Sequence, residues 1–408
     1  MAHGNKFQFS SFFTKGQYET QVERLEVMER GKGLSIGIAK ESNPNESRVL
    51  LVPNAIRSLV GYGHKVVVES NAGILASFQD TEFSSAGAEI SKNRDEVFQC
   101  HIVVKSSPPE LTDLELMSPG QILITPLQLP VITKKYLEKL KSRKVVGIAL
   151  EHLRYEDGSF PFIKMMSELA GRLSIVIASN LLADNISGRG VLLGGVSGVP
   201  PAKVVILGAG VVGENAAKTA LALGASVRIF DNDIYKIMQL QDNIGQQLHS
   251  SSLNPEYMAY QLTSADVVIG AMHSKSGRAP VLVTEEMVSK MKKGSVIVDV
   301  SIDQGGCIET SRVTSHSDPV FEKHGVIHYC VPNMSSKVAR TSSMAVSNFL
   351  VSLILKLGSG VDLQTLLYQH EGIRSGIYCY EGHITQQHLA QSFEMKYTAL
   401  ELLMTSSH

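Results

Sequence analysis

The sequence predicts an α/β protein built on mainly parallel sheets. Two observations point there. Short β-branched apolar runs alternate with helical segments along most of the chain, the mark of strand–helix–strand units. A glycine cluster, SGRGVLLGGVSGVPP, then sits directly before a second series of the same kind. At about 150 residues per domain, 408 residues allow two or three domains.

The elements follow in order. LSIGIAK reads as the first strand. Pro53 to Tyr62 has helical periodicity, with proline early, where its missing N–H is harmless. HKVVVES is the next strand, and HIVVKS, QILITPL and VVGIALE continue the alternation. A long helix is expected from about Ile163 through Ala183, and it leads into the glycine cluster, where a domain junction belongs. In the second series, SADVVIGAM, GSVIVDVSIDQGG and IHYCVPNM read as strands. Between the first two lies VTEEMVSKMKKG. Thr284 is its expected N-cap, Glu285 and Glu286 its first turn, Lys290, Lys292 and Lys293 its last, and Gly294 its stop.

Composition excludes several classes. With 43% hydrophobic residues the chain is far from a disordered composition, and a net charge of -1 argues against a basic face for nucleic acid or a membrane surface. The 4 cysteines form no CxxC pair and no zinc-like spacing, so they read as small core residues in a reducing compartment. The N-terminus lacks a signal-peptide core, and the most apolar later stretch, Met344 to Leu357, reads as too short and too polar to span a bilayer. A cytoplasmic protein is expected. Residues 1–32 differ in composition from the rest and read as an N-terminal arm.

AKVVILGAGVVGENAAKTALALGASVRIFDND is the strongest local signal. Val204 to Leu207 reads as a buried strand, Gly208, Gly210 and Gly213 complete GxGxxG, Ala216 to Leu223 reads as a helix, and Val227 to Phe230 forms the next strand. Gly208 permits the tight turn, Gly210 lets backbone approach a pyrophosphate, and Gly213 lets helix and strand pack closely. The helix N-terminus offers free N–H groups to the phosphates. Asp231, ending the next strand, can accept both ribose hydroxyls of an adenosine and would repel a 2′-phosphate, which favours NAD over NADP.

Taken together, KESNPNESRVLLVP, HIVVKSSPPE, MSELAGRLS, GRGVLLGGVSGV, LGAGVVG, VDVSIDQGGCIE, YCVPNM and YEGHIT resemble the NAD-dependent L-alanine dehydrogenase family, which shares its fold with the NAD-binding subunit of nicotinamide nucleotide transhydrogenase. The resemblance covers about residues 33–395. It implies two Rossmann-like doubly wound domains, one of them discontinuous. Residues 33–162 and 340–408 would hold the substrate, residues 163–339 would hold NAD, and the reaction would lie in the cleft between them. It also implies a homo-oligomer, a hexamer in that family, with L-alanine, pyruvate and ammonium as small-molecule partners.

The resemblance assigns roles residue by residue. Arg48 would anchor the substrate carboxylate, a task suited to the guanidinium fork. Lys105, at the end of HIVVK, would polarise the reacting carbonyl or amine, and Asp303, after VIVDVSI, would move protons. Ser167 reads as the N-cap of the long helix, and by resemblance it also meets the cofactor. Asn333 and Met334 would meet the nicotinamide end, and Lys236 is placed to reach the adenosine ribose.

The sequence also departs from the family. Gln128, in LITPLQLP, stands where the dehydrogenases carry a catalytic histidine. Glutamine can donate a hydrogen bond but cannot exchange a proton at neutral pH. The Pro-Leu-Gln text resembles the transhydrogenase subunit at this place. In KSSPPE, Ser107 replaces the second lysine of the usual KxKEP. His152, after VVGIALE, is a candidate substitute acid/base group, although a lone histidine here is more often a packing or surface residue. Two alternatives to a dehydrogenase therefore remain: the transhydrogenase subunit, whose Arg-Ala-Gln loop is not evident between His152 and Ser167, and a non-catalytic NAD-binding regulator.

Overall fold

The computed structural model describes residues 33–129, 131–274 and 277–405; the arm expected at 1–32 lies outside the described residues. The chain first lays down six parallel strands: β1 (Ser35–Ile38), β2 (Lys65–Glu69), β3 (Glu89–Ser91), β4 (Ile102–Val104), β5 (Ile122–Thr125) and β6 (Val146–Ala149). It then builds a second sheet from β7 (Lys203–Leu207), β8 (Ser226–Phe230), β9 (His249–Ser251), β10 (Val267–Gly270), β11 (Val296–Asp299), β12 (Val320–Lys323) and β13 (Val326–Tyr329). Finally it returns to the first sheet with β14 (Ile377–Tyr380) and β15 (His383–Ile384).

The two sheets are variations on one order. The first runs β15-β14-β6-β5-β4-β1-β2-β3 and the second β12-β13-β11-β10-β7-β8-β9. In each, the first-formed strand lies inside and the order reverses beside it. Among the described strands, only the additions at one edge are antiparallel: β14 on β6, β15 on β14, and β12 on β13. The central strands β4, β6, β10, β11 and β13 are buried along their whole length. Helices cover both faces of each sheet, which is why these strands read as continuous apolar runs with no alternation.

Three helices place the site. Pro161–Ala183 begins two residues earlier than expected, with Pro161 in its first turn and Phe160 at the N-cap. Ser167 is therefore an interior residue of this helix and not its cap. The helix serves both cores: Phe162 packs with the first sheet, while Ala170, Leu173, Ile177 and Leu182 pack with the second. A Cβ on Gly171 would meet the Val212 carbonyl oxygen at 2.4 Å, so this glycine lets the helix lie directly against Val211–Ala222. That second helix starts at Val211, five residues before the expected Ala216, and this brings Gly213 into its first turn.

The third helix, Ala339–Leu357, returns to the first core through Val346, Leu350, Leu353 and Ile354. Ser336, in the turn before this helix, and Ser343 and Ser347 along it hold a distant segment. Ser336, Ser343 and Ser347 accept the backbone N–H groups of Ser47, Val49 and Val52 at 2.8, 3.0 and 3.0 Å. They replace the ladder partners that the irregular segment 45–52 lacks. With the turn before it, Met334–Leu357 is long and apolar enough to cross a membrane by length and composition, so counting from Met344 underestimated it. Its apolar face is occupied by the first core.

Two smaller expectations need amending. Thr284 caps its helix as predicted, accepting the Met287 N–H at 3.3 Å, but the helix ends at Ser289. Lys290, Lys292 and Lys293 follow it, and Lys292 binds Asp266 at 2.8 Å. The four cysteines are free and buried, as predicted.

Candidate active site

A doubly wound sheet binds ligands at the carboxyl ends of its strands, where the strand order reverses and neighbouring loops diverge. That point lies between β1 and β4 in the first sheet and between β7 and β10 in the second. Glu41 follows β1, Lys105 follows β4, and the glycine loop follows β7.

The glycine loop shows what each glycine is for. Gly208 has φ +113° and its Cβ would lie 2.4 Å from the Ala271 carbonyl oxygen, so both conformation and space exclude a side chain. Gly213's Cβ would lie 1.9 Å from the Gly208 carbonyl oxygen. At Gly210 nothing among the described residues comes within 4 Å of the added Cβ. The protein itself therefore does not need glycine there, and bare backbone at the start of Val211–Ala222 is open for a phosphate to approach. Asp231 is buried beside the loop, with Oδ2 accepting the Ala209 N–H at 2.7 Å and Oδ1 the Asp233 N–H at 2.8 Å. It braces the loop from the end of β8. Lys236 is exposed, with its ammonium 3.9 Å from Asp233.

Between the sheets, one hydrogen-bonded chain joins the two halves. Arg48 and Glu46 come from the segment after β1, and Asn333 and Asp303 from the loops after β13 and β11. Arg48 Nε donates to Glu46 Oε1 at 2.7 Å and Nη2 to Glu46 Oε2 at 2.5 Å. Nη2 also donates to Asn333 Oδ1 at 2.8 Å. The Asn333 backbone, at φ +52°, donates its N–H to Asp303 Oδ1 at 2.9 Å. Burial alone would raise the Glu46 carboxyl, but the Arg48 guanidinium outweighs it and holds that group below the ordinary range. Asp303 is exposed as a residue, yet the surrounding groups crowd its carboxyl. This desolvation raises it, against the Asn333 N–H and the Arg48 charge.

The other predicted residues are placed as follows. Lys105 is buried, and its ammonium binds Glu41 Oε2 at 2.6 Å and Ser107 Oγ at 3.0 Å. Glu41 also accepts the backbone N–H groups of Ser106 and Ser107, at 2.5 and 3.1 Å. In this arrangement Lys105 faces the strand-end loop. Gln128 is half-buried at φ +47°, and Glu151 Oε1 accepts its N–H at 3.1 Å and that of Leu127 at 2.7 Å. His152 packs edge-on against His388, 5.2 Å between ring centroids, and burial lowers it to about 4. None of its contacts reaches Arg48, Lys105 or Asp303, so the packing role accounts for it. Ser167 is half-buried one residue after Met166, whose sulfur touches Arg48. Met334 is buried in the core of the second sheet and ties down the loop that carries Asn333.

Sequence reasoning missed three carboxylates. Glu41 and Glu46 both precede the predicted anchor in KESNPNESR, where spacing alone does not tell a buried partner from a solvated one. Asp299 is buried at the end of β11 and accepts the N–H groups of Ser301 and Cys307 at 3.1 and 3.0 Å and the Ser311 hydroxyl at 2.7 Å. It holds the turn that presents Asp303. A cavity of about 370 Å³ opens beside the network near Ser47, His316, Ser336 and Lys337. Neither Arg48 nor Asp303 lines it, so it adjoins the anchor and is not the cleft.

Comparison with known proteins places this geometry. Residues 37–170 match the alanine dehydrogenase/PNT N-terminal domain and residues 174–387 the corresponding C-terminal domain. The chain is 40% identical to alanine dehydrogenase 2 of Staphylococcus aureus over 369 residues, 90% of this chain and 99% of that protein. Among solved structures, an L-alanine dehydrogenase aligns with TM-score 0.83 at 38% identity, covering 88% of this chain and 99% of that one. A transhydrogenase from Sinorhizobium meliloti aligns with TM-score 0.74 at 25% identity, covering 87% and 99%. The chain, with its two doubly wound sheets and a glycine loop at one switch point, belongs to the alanine dehydrogenase/PNT family.

Proposed function

We propose that this protein catalyses the reversible NAD-dependent oxidative deamination of L-alanine, in which L-alanine, NAD⁺ and water give pyruvate, ammonium, NADH and a proton. The observation that carries the reading is the Arg48–Asn333–Asp303 chain, which links a cation suited to a carboxylate with a second, exposed carboxylate. The 40% identity to a named alanine dehydrogenase supports the substrate.

Residues 33–162 and 340–408 form the substrate domain in this reading, and residues 163–339 the nucleotide domain. Gly208, Gly210, Gly213 and Asp231 hold NAD, with Lys236 at the adenosine end and Ser167, Asn333 and Met334 at the nicotinamide end. NAD supplies the hydride acceptor. Arg48 holds the substrate carboxylate and so orients its Cα–H. Asp303 takes a proton as water adds to the imine and returns one as ammonia leaves. Gln128 donates a hydrogen bond to the substrate oxygen. Lys105, held by Glu41 at the end of β4, polarises the reacting carbonyl or amine. The exposed Ile186, Leu192, Val196 and Val199 on the glycine-rich linker support a homo-oligomer, with the family's hexamer as the proposed form.

The test is absorbance of NADH with L-alanine and NAD⁺ in alkaline buffer, then with pyruvate, ammonium and NADH in reverse. Turnover in both directions is expected. Tight NADH binding without turnover on any small amino acid would leave the second reading, a non-catalytic NAD-binding relative. Gln128 and Ser107 favour that reading, because each replaces an ionisable group of the dehydrogenases.

A further inference from the structure

Arg48 has five N–H donors, and the structure accounts for all of them. Glu46 takes Nε and one Nη2 hydrogen, at 2.7 and 2.5 Å, and Asn333 Oδ1 takes the other Nη2 hydrogen at 2.8 Å. Nη1 is left with the Met166 thioether at 3.1 Å and the Ser335 hydroxyl at 3.3 Å. The strong acceptors thus lie on one edge of the guanidinium and the weak ones on the other. Thioether sulfur is a poor acceptor, and the hydroxyl contact is long. Displacing Glu46 would break a buried, bidentate ion pair, whereas displacing Met166 and Ser335 costs two weak contacts.

We propose that Glu46 is a positioning residue that makes Arg48 a one-edged anchor. It fixes the guanidinium plane and presents only the Nη1 edge, between Met166 and Ser335, to the substrate carboxylate. This rests on the proposed dehydrogenase reading and specifies where its substrate docks. Ser167 follows Met166, and Asn333, which links Arg48 to Asp303, lies two residues before Ser335. A carboxylate at Nη1 is therefore held next to the loop that carries the proton-transfer network. The Asn333 side chain also donates to Glu46 Oε2 at 3.0 Å, so loss of the Glu46 charge loosens Arg48 and Asn333 together.

The probe is oxamate, an unreactive isostere of pyruvate, titrated into the protein–NADH complex and read by NADH fluorescence. This arm needs no turnover, so it stands apart from failure of the dehydrogenase reading. Glu46→Gln keeps the shape and removes the charge. It should weaken oxamate, and raise KM for pyruvate, at least about tenfold, with kcat changed far less. Glu46→Asp should recover part of the loss. NADH binding, which rests mainly on the glycine loop of the other sheet and loses only the Asn333 contact, should fall far less than oxamate binding, by no more than about threefold. Unchanged oxamate affinity with intact NADH binding overturns the proposal, as does a wild-type NADH complex that binds no oxamate. If Glu46→Gln does not fold, Ser335→Ala decides: removing a competitor at Nη1 should tighten oxamate, and unchanged or weaker binding overturns the proposal.

Discussion

A methyl group added to Gly213 would lie 1.9 Å from the Gly208 carbonyl oxygen, whereas one added to Gly210 would meet none of the described residues within 4 Å. The same substitution therefore has opposite signatures at two glycines of one loop. Gly213→Ala should cost about 1–3 kcal/mol of stability, read from urea unfolding. Gly210→Ala, at φ -75°, suits alanine and should melt within about 2 °C of wild type. It should still weaken NADH binding at least about tenfold, or about 1.4 kcal/mol. Gln128→His puts a proton-exchanging group back at a backbone position already held by Glu151. A rise in kcat of about tenfold or more is expected, the lower part of what a positioned acid/base group contributes. Asp303 offers a pH test. Its carboxyl is raised, so at any pH near its titration more of it is protonated than an ordinary aspartate near 3.9. The acid limb of kcat/KM should lie above that value, and Asp303→Asn should remove the limb along with most of the activity. Of these residues, GxGxxG and Asp231 could be read from spacing alone. Glu46 and Glu41 could not, because a carboxylate near an arginine in sequence is usually a solvated surface pair.

At the scale of elements, the segment 45–52 has no strand or helix of its own and is held by serines of a helix nearly 300 residues away in the chain. Ser343→Ala and Ser347→Ala each leave a buried backbone N–H without a partner. Each should lower stability by about 1–3 kcal/mol in urea unfolding, against almost nothing for alanine at the exposed Ser352. Strands and the long helix were legible because apolar periodicity is local. Helix ends were less so. Val211 was missed as a start because its cap, Gly210, has no capping side chain. Ser167 looked like a cap, but Pro161 starts the helix earlier and the serine falls in its interior.

At the scale of the whole molecule, burial of titratable groups ties stability to pH. His152 and His328 are both lowered to about 4, chiefly by burial. Unfolded histidines take up protons near 6.5, while these two do not until about 4. Their contribution is thus fully present above pH 6.5 and is lost as pH falls toward 4. The buried carboxyls of Glu41, Glu151 and Asp299 are raised, and they work in the opposite direction over the acid range. A single variant separates the two effects. His152→Gln should lose less stability than wild type between pH 7 and 5, in urea midpoints measured at both pH values.

The sequence by itself determined the two series of strand–helix units, the dinucleotide loop with its acid, and the family. These rest on local periodicity and on glycine spacings that few folds tolerate. The return of β14 and β15 to the first sheet was implied by family likeness alone. The occupation of every Arg48 donor, the burial of Lys105 against Glu41, and the distance of His152 from the cleft were decided only by the tertiary structure. Each depends on which distant side chains share a low-dielectric site, and neither periodicity nor spacing along the chain records that.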